Sequence, residues 1–222
     1  MESFEKKYIE FFGIPSSGKT SVVDGLEKVL SIEKYCFPVQ QVQTASWLMR
    51  SLQRVVKAGL GVLHSRRVRN LFTSLSSSGP STVGEFKACV NFLWLAYSVE
   101  QSANKEKMSI LTEGIFQAWW GLRVRGIVSN SSLAKVINFA RSHGCRIVWL
   151  SCDLSTVRNR VSNRFQRSYV DNNKNSEEEI ERSVQLVEFI IRKAIQEEIE
   201  VVKIDTGSQS LKKTVQKISN LV

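Results

Sequence analysis

The chain has 222 residues, of which 42% are hydrophobic, and a formal net charge of +10. This length suits a single α/β domain with one sizeable core. No apolar run approaches the roughly 18 residues that a membrane helix needs, and the charged amino-terminal residues lack the apolar stretch of a signal peptide. The four cysteines and two histidines have no zinc-site spacing. We therefore expect a cytoplasmic protein that does not associate with membranes.

The positive charge is concentrated in one segment. No acidic residue lies between Glu33 and Glu85, and the basic residues inside this interval are Lys34, Arg50, Arg54, Lys57, Arg66, Arg67 and Arg69. Such a segment attracts anions such as nucleotides, phosphorylated small molecules or a nucleic-acid backbone. A solvated basic face without a ligand accounts for the same pattern equally well.

The predicted elements alternate between short apolar strands and amphipathic helices. The first half of the chain predicts strands at 7–12 and 33–39, a helix that begins near Lys19, helical spacing from 46 to about 75, a loop at 74–82 and a helix at 83–104. The second half predicts strands at 109–112, 146–151 and 201–204, and helices at 131–142, from 155 to beyond Phe165, at 182–198 and at 211–221. Five apolar strands separated by helices imply a parallel sheet that is covered on both faces.

A phosphate-binding loop follows the first predicted strand. Gly13-Ile14-Pro15-Ser16-Ser17-Gly18-Lys19-Thr20 fits GxxxxGK[ST], with a strand before it and a helix after it. Its backbone N–H groups and the helix amino terminus suit phosphate oxygens. Lys19 is expected to reach the β- and γ-phosphates of ATP or GTP, and the Thr20 hydroxyl to bind Mg²⁺. The residues expected to bind the nucleotide are Gly13, Pro15, Ser16, Ser17, Gly18, Lys19, Thr20 and Ser21.

Two further groups of residues carry chemistry. The strand ending at Thr112 delivers Glu113 to the carboxyl edge of the sheet, where open α/β proteins bind ligands. A carboxylate there can support Mg²⁺ or accept the proton of an attacking hydroxyl, and the sequence leaves both roles open.

Arg160, Arg164 and Arg167 recur on one side of a helix, where guanidinium groups can stabilise a phosphoryl group in transfer. A solvated glutamate and a solvated basic face are the plainer interpretations.

These three stretches resemble the nucleoside and nucleotide kinase branch of P-loop proteins, which has the nucleoside monophosphate kinase-like fold. The resemblance implies a three-layer α/β/α domain over residues 1–222, with a five-stranded parallel sheet in the order 2-3-1-4-5. It also implies an acceptor-binding helical segment at about 34–84 and a lid at about 155–180, with Arg160 and Arg164 catalytic. Lys203-Ile204-Asp205-Thr206 looks like the family's last strand and the loop near the nucleotide base.

The acceptor side departs from the family. Relatives with a glutamate at this point follow it with arginine, whereas Gly114 follows Glu113, and the family's aspartate-arginine acceptor signature is absent after the third strand. Trp120 could stack on a base with Gln117 at the edge of that base, although core packing explains the aromatic residues as well. The residues expected to bind the acceptor are Arg50, Arg54, Arg66, Arg67, Gln117 and Trp120.

Three functions fit these observations. The leading one is an ATP- or GTP-dependent, Mg²⁺-requiring kinase for a nucleotide, nucleoside or other anionic small molecule, acting as a monomer or homodimer. The second is a kinase for a nucleic-acid strand end or hydroxylated base, which the basic segment suits. The third is a P-loop NTPase or switch without an acceptor, which the lack of an apolar run ending in Asp-Glu disfavours.

Overall fold

The computed structural model describes residues 8–30, 35–36, 47–75, 79–103, 108–165 and 177–221. Its strands are β1 Tyr8–Phe12, β2 Tyr35–Cys36, β3 Met108–Leu111, β4 Cys145–Ser151 and β5 Glu200–Asp205. Its helices are α1 Lys19–Glu27, α2 Trp47–His64, α3 Arg66–Leu75, α4 Val83–Ala103, α5 Ile115–Val124, α6 Leu133–Ser142, α7 Leu154–Phe165, α8 Glu177–Gln196 and α9 Leu211–Ser219. None of the helices in these ranges combines the length and apolar character that a membrane crossing demands.

The strands form one parallel sheet in the order β2-β3-β1-β4-β5. The body of the sheet is the four longer strands β3-β1-β4-β5, because β2 contributes only Tyr35 and Cys36, which pair with Met108 and Ser109. The strand order is therefore the predicted one, while the described part of the predicted strand at 33–39 is reduced to two residues. With β1 central, the phosphate loop that follows it lies between the ends of β3 and β4.

Apolar side chains cover both faces of the sheet, as the predicted parallel topology requires. Tyr8 and Phe12 of β1 belong to a large cluster with α4, α5, α6 and α8, whereas Ile9 and Phe11 belong to a second cluster with α1 and α9. The alternation follows from the two-residue period of a strand. Glu10 shares the face of Tyr8 and Phe12, and it is 0% exposed.

The helical segment predicted from 46 to about 75 is two helices. The Ser65 hydroxyl accepts a hydrogen bond from the Val68 backbone N–H at 3.1 Å, which caps the start of α3 and separates it from α2. Serine favours this capping position because its side chain satisfies an amide that the first helical turn leaves unpaired. Residues 76–78 of the predicted loop at 74–82 lie outside the described residues.

Candidate active site

The loop from Gly13 to Gly18 has the backbone conformation of an anion-binding nest. Ser16 and Gly18 both have positive φ angles, 66° and 94°, which turn successive N–H groups toward one side. At Gly13 the chain passes so close to β4 that an added Cβ would lie 2.5 Å from the Leu150 carbonyl oxygen. The loop can therefore keep this course only with glycine at its first position.

Lys19, the first residue of α1, is buried against the loop. Its ammonium group donates hydrogen bonds to the carbonyl oxygens of Gly13, at 2.8 Å, and Ile14, at 3.0 Å. The positive charge is thereby held at the edge of the nest, within reach of an anion bound by the loop amides.

A cavity of about 620 Å³ opens over the loop. This volume lies within the range typical of small-molecule sites. The residues that line it are Pro15, Ser16, Gly18, Lys19, Thr20, Ser21, Val22, Glu113, Gln117, Trp120, Arg160, Thr206, Gln209, Leu211 and Thr214. The cavity thus brings the loop together with the predicted Glu113, Gln117, Trp120 and Arg160.

One wall of the cavity comes from the start of α5. Glu113 lies just before the helix, and Gln117 and Trp120 follow at spacings of four and three residues, which puts the three on one side of it. The Gln117 side-chain oxygen accepts a hydrogen bond from the Gly13 backbone N–H at 3.4 Å. The indole N–H of Trp120 is buried and has no hydrogen-bond partner among the described residues. This wall therefore offers a carboxylate, an amide and an aromatic ring to a ligand.

The opposite wall joins α7 to the end of β5. Arg160 donates a hydrogen bond to the Thr206 carbonyl oxygen at 2.8 Å, and longer ones of 3.4 Å to the Ser16 carbonyl oxygen and the Thr206 hydroxyl. The Thr206 hydroxyl in turn donates to the Ser17 carbonyl oxygen at 2.9 Å. Arg160 is therefore held beside the phosphate loop, where a guanidinium can reach a bound phosphate.

A buried carboxylate lies behind the α5 wall. The two carboxylate oxygens of Glu10 accept hydrogen bonds from the backbone N–H groups of Phe116, at 3.2 Å, and Gln117, at 2.9 Å. Burial raises the pKa of Glu10 to about 7, because the loss of hydration outweighs the opposing effect of these amides. Glu10 therefore fills the amino-terminal end of α5, where four backbone N–H groups lack helical partners.

Three described basic residues of the acceptor prediction, Arg54, Arg66 and Arg67, are not among the residues that line this cavity. The Arg54 guanidinium lies over the ring of Trp94, 4.8 Å from its centroid, and Arg66 and Arg67 are exposed at the start of α3. The side chains of Arg50 and Arg164 lie outside the described residues, as do Arg167 and much of the predicted lid. An acceptor-binding role for these arginines remains a prediction.

Sequence reasoning missed Glu10 and the residues of α1 and α9 that line the cavity, Val22, Leu211 and Thr214. A signal for Glu10 was present, since it is the one charged residue within the otherwise apolar Tyr8–Phe12. A charge in the central strand of a sheet covered on both faces requires dedicated hydrogen-bond donors. The α9 residues carried no such signal, because only the folded chain brings them beside α1.

The lining residues fit a Mg²⁺-nucleotide. The nest and Lys19 suit the phosphates, and the Thr20 hydroxyl and Glu113 carboxylate are oxygen ligands of the kind Mg²⁺ accepts. No group of three or more His, Cys, Asp or Glu side chains in the described part of the chain could hold a metal ion alone. A Mg²⁺ at Thr20 and Glu113 would therefore share its coordination with phosphate oxygens and water, which is its usual arrangement.

No family model and no curated protein sequence matches the chain. Solved structures do match it in fold. A deoxyadenosine kinase from M. mycoides with dCMP and dCDP has a TM-score of 0.55 at 14% identity, covering 96% of this chain and 97% of that one. The same kinase with dATP gives 0.51 at 12% identity, covering 96% and 98%. The YorR protein of Bacillus subtilis, in complex with phosphorylated GDP, gives 0.53 at 14% identity, covering 96% and 94%. The chain therefore has the fold of P-loop kinases.

Proposed function

We propose that this protein is a P-loop phosphotransferase that moves the γ-phosphoryl group of ATP or GTP to a hydroxyl group of a small acceptor. The observation that carries the proposal is the shared cavity, in which the phosphate loop and Lys19 face Glu113, Gln117 and Trp120. Hydrolysis of the nucleotide alone would not require a second wall that offers an aromatic ring and an amide.

The division of the cavity supports an assignment of roles. The nest amides and Lys19 bind the phosphates, and we assign the lining residues Thr206, Leu211 and Thr214 to the nucleoside. Thr20 would hold Mg²⁺, which would neutralise charge on the phosphates, and metal support by Glu113 is the alternative to the base role described next. Arg160 stabilises the charge on the phosphoryl group during transfer.

The α5 wall supports a general-base role for Glu113. Its carboxylate takes the proton of the acceptor hydroxyl while the hydroxyl oxygen bonds to the γ-phosphorus. The bond from that phosphorus to the bridging oxygen breaks, and the nucleoside diphosphate leaves with the electron pair. Gln117 and the ring of Trp120 orient the acceptor. An aromatic ring beside an amide favours a nucleoside or nucleotide as the acceptor.

The test is transfer of label from γ-labelled ATP or GTP, with Mg²⁺, to a panel of nucleosides, nucleoside monophosphates and small polyols. We expect labelled product from at least one nucleoside or nucleotide, and none from the Lys19→Ala protein. Label released only as inorganic phosphate across the whole panel would contradict the proposal.

A nucleic-acid acceptor is the second candidate, and the exposed Arg66 and Arg67 outside the cavity favour it. Phosphate contacts release counterions, so binding to a single-stranded oligonucleotide would weaken steeply as salt rises. The paired change of Arg66 and Arg67 to Ala would reduce that slope. For a small acceptor, the same variant raises only the acceptor KM at low salt. No oligonucleotide binding at low salt removes the second candidate.

A further inference from the structure

Glu10 takes no part in the proposed phosphoryl transfer, yet its buried side chain is held by defined contacts. It stands in the middle of the central strand, paired in register with Leu111 of β3 and Ile147 of β4, and its side chain is 0% exposed. A buried carboxylate is costly unless donors satisfy it. The donors are the first amides of α5, from Phe116 at 3.2 Å and Gln117 at 2.9 Å.

The close approach of Glu10 to α5 depends on Gly114. An added Cβ at Gly114 would lie 2.3 Å from both the carboxyl carbon and one carboxylate oxygen of Glu10. Gly114 has an extended backbone with φ −109°, so its glycine identity is required by this contact and not by its conformation. Glu10 and Gly114 therefore form a matched pair at the start of the helix.

A second contact joins the same helix to the phosphate loop. Gly13 follows Glu10 by three residues on the same chain, and its N–H donates to the Gln117 side chain at 3.4 Å. Gln117 is thus held at its backbone by Glu10 and at its side chain by Gly13. The two contacts fix α5 to consecutive parts of the β1-loop segment.

We propose that Glu10 is a positioning residue that fastens the start of α5 to β1 and so sets Glu113 and Gln117 at their places opposite the phosphate loop. This inference rests on the proposed function for its consequence in catalysis. Its structural part, the coupling of α5 to the loop, stands on the contacts alone.

A carboxylate suits this position better than an amide. The side chain faces backbone N–H donors from residues 114 to 117. Both oxygens of a carboxylate can accept hydrogen bonds from them, whereas the side-chain NH₂ of a glutamine would point its own N–H groups at these donors. The titratable groups that face Glu10 are Tyr8 of β1 and Cys145 of β4, and burial raises the pKa of each well above its ordinary value. Both stay neutral near neutral pH, so neither places a second negative charge beside the carboxylate.

The test compares Glu10→Gln with Tyr8→Phe, a control that removes a buried polar group from the same face of the same strand. We expect Glu10→Gln to speed amide hydrogen exchange at Gly13, Phe116 and Gln117 at least about tenfold, while β4 and β5 exchange as before. We also expect kcat for transfer to a nucleoside acceptor to fall at least about tenfold with the KM for Mg-ATP unchanged. Tyr8→Phe should do neither.

A second variant changes Gly114, the other member of the pair. Gly114→Ala should reproduce the effects of Glu10→Gln, and it should do less harm in a Glu10→Ala background, where the carboxylate that its Cβ meets is gone. Such non-additivity identifies the pair as the cause.

The outcomes separate the two claims. Unchanged exchange at Gly13 in both Glu10→Gln and Gly114→Ala overturns the positioning role, as does a loss of kcat that merely follows the loss of folded protein. If the wild-type protein transfers label to no acceptor, the proposed function fails. The exchange measurement then decides the role of Glu10 without it.

Discussion

The carboxylate of Glu10 occupies the space that a side chain on Gly114 would fill, since a Cβ there would lie 2.3 Å from the Glu10 carboxyl carbon. The residue after Glu113 was the point at which the sequence departed from the glutamate-arginine pattern of the kinases that it resembles. The contact gives that departure a physical reason. An arginine at position 114 would displace Glu10 from the amides of α5.

The first prediction concerns how stability depends on pH. The pKa of Glu10 is raised from 4.5 to about 7 in the folded chain, so folding favours its protonated form. This contribution to stability is complete below pH 4.5 and is lost as the pH rises through about 7. Since one pKa unit corresponds to about 1.4 kcal/mol, the full contribution is about 3 kcal/mol.

Denaturant unfolding at several pH values tests this. The free energy of unfolding of the wild-type protein, measured relative to Glu10→Gln, should fall between pH 4.5 and pH 7. Subtracting the free energy of unfolding of Glu10→Gln from that of the wild-type protein removes the pH dependence that the other titrating groups contribute to both. Parallel curves for the two proteins over this interval would show that Glu10 has an ordinary pKa.

The second prediction concerns Lys19. Lys19→Ala should abolish phosphoryl transfer, because the loop then lacks the charge that meets the phosphates. The loss of its hydrogen bonds to the carbonyl oxygens of Gly13 and Ile14 should cost on the order of 1 kcal/mol of stability. Lys28→Ala, an exposed lysine beyond the end of α1, is the matched control. Wild-type turnover in Lys19→Ala would refute the assignment of the phosphate loop.

The third prediction separates the two roles of Glu113. Glu113→Gln should lower turnover by roughly 10²- to 10⁴-fold if the carboxylate is a general base. A loss that is restored by raising Mg²⁺ would indicate metal support instead, because excess metal offsets a lost ligand but not a lost base. Glu27→Gln, at the exposed last residue of α1, is the control. Unchanged turnover at saturating Mg²⁺ would exclude both roles.

The fourth prediction compares two arginines of α7. Arg160 lines the cavity and is held at Thr206, whereas Arg158 is exposed and is not among the residues that line it. Arg160→Ala should lower kcat at least about tenfold with little change in KM, since its charge acts on the phosphoryl group in transfer. Steady-state kinetics should show no such change for Arg158→Ala. Equal losses in the two variants would point to the general charge of the helix.

The sequence predicted the strands and the phosphate loop because both have local signals, namely apolar runs and the spacing of Gly13, Gly18 and Lys19, whereas the strand order followed from the family resemblance. It also predicted the cavity residues that follow a strand, such as Glu113, since the carboxyl ends of parallel strands share one edge. The two-helix break at Ser65 was missed, because a capping serine within an amphipathic pattern gives only a weak signal.

Contacts between distant segments were beyond sequence reasoning. Glu10 and Gln117 are separated by 107 positions, and Thr206 meets Ser17 across 189. Neither pair has a spacing signature, since the fold alone brings its members together. The acceptor role of the basic residues stays a prediction. Their pattern suggested one acceptor site, but packing places Arg54 over Trp94 and leaves Arg66 and Arg67 in solvent.

The central claim is that this cavity transfers a phosphoryl group to an acceptor and does not merely hydrolyse the nucleotide. ³¹P NMR of the wild-type protein with Mg-ATP and a nucleoside acceptor measures this directly, since it counts the nucleoside diphosphate, the phosphorylated acceptor and the inorganic phosphate in one experiment. We expect diphosphate and phosphorylated acceptor to form in equal amounts, and both to vanish in Lys19→Ala. Diphosphate matched by inorganic phosphate alone, at a rate that no acceptor changes, would contradict it.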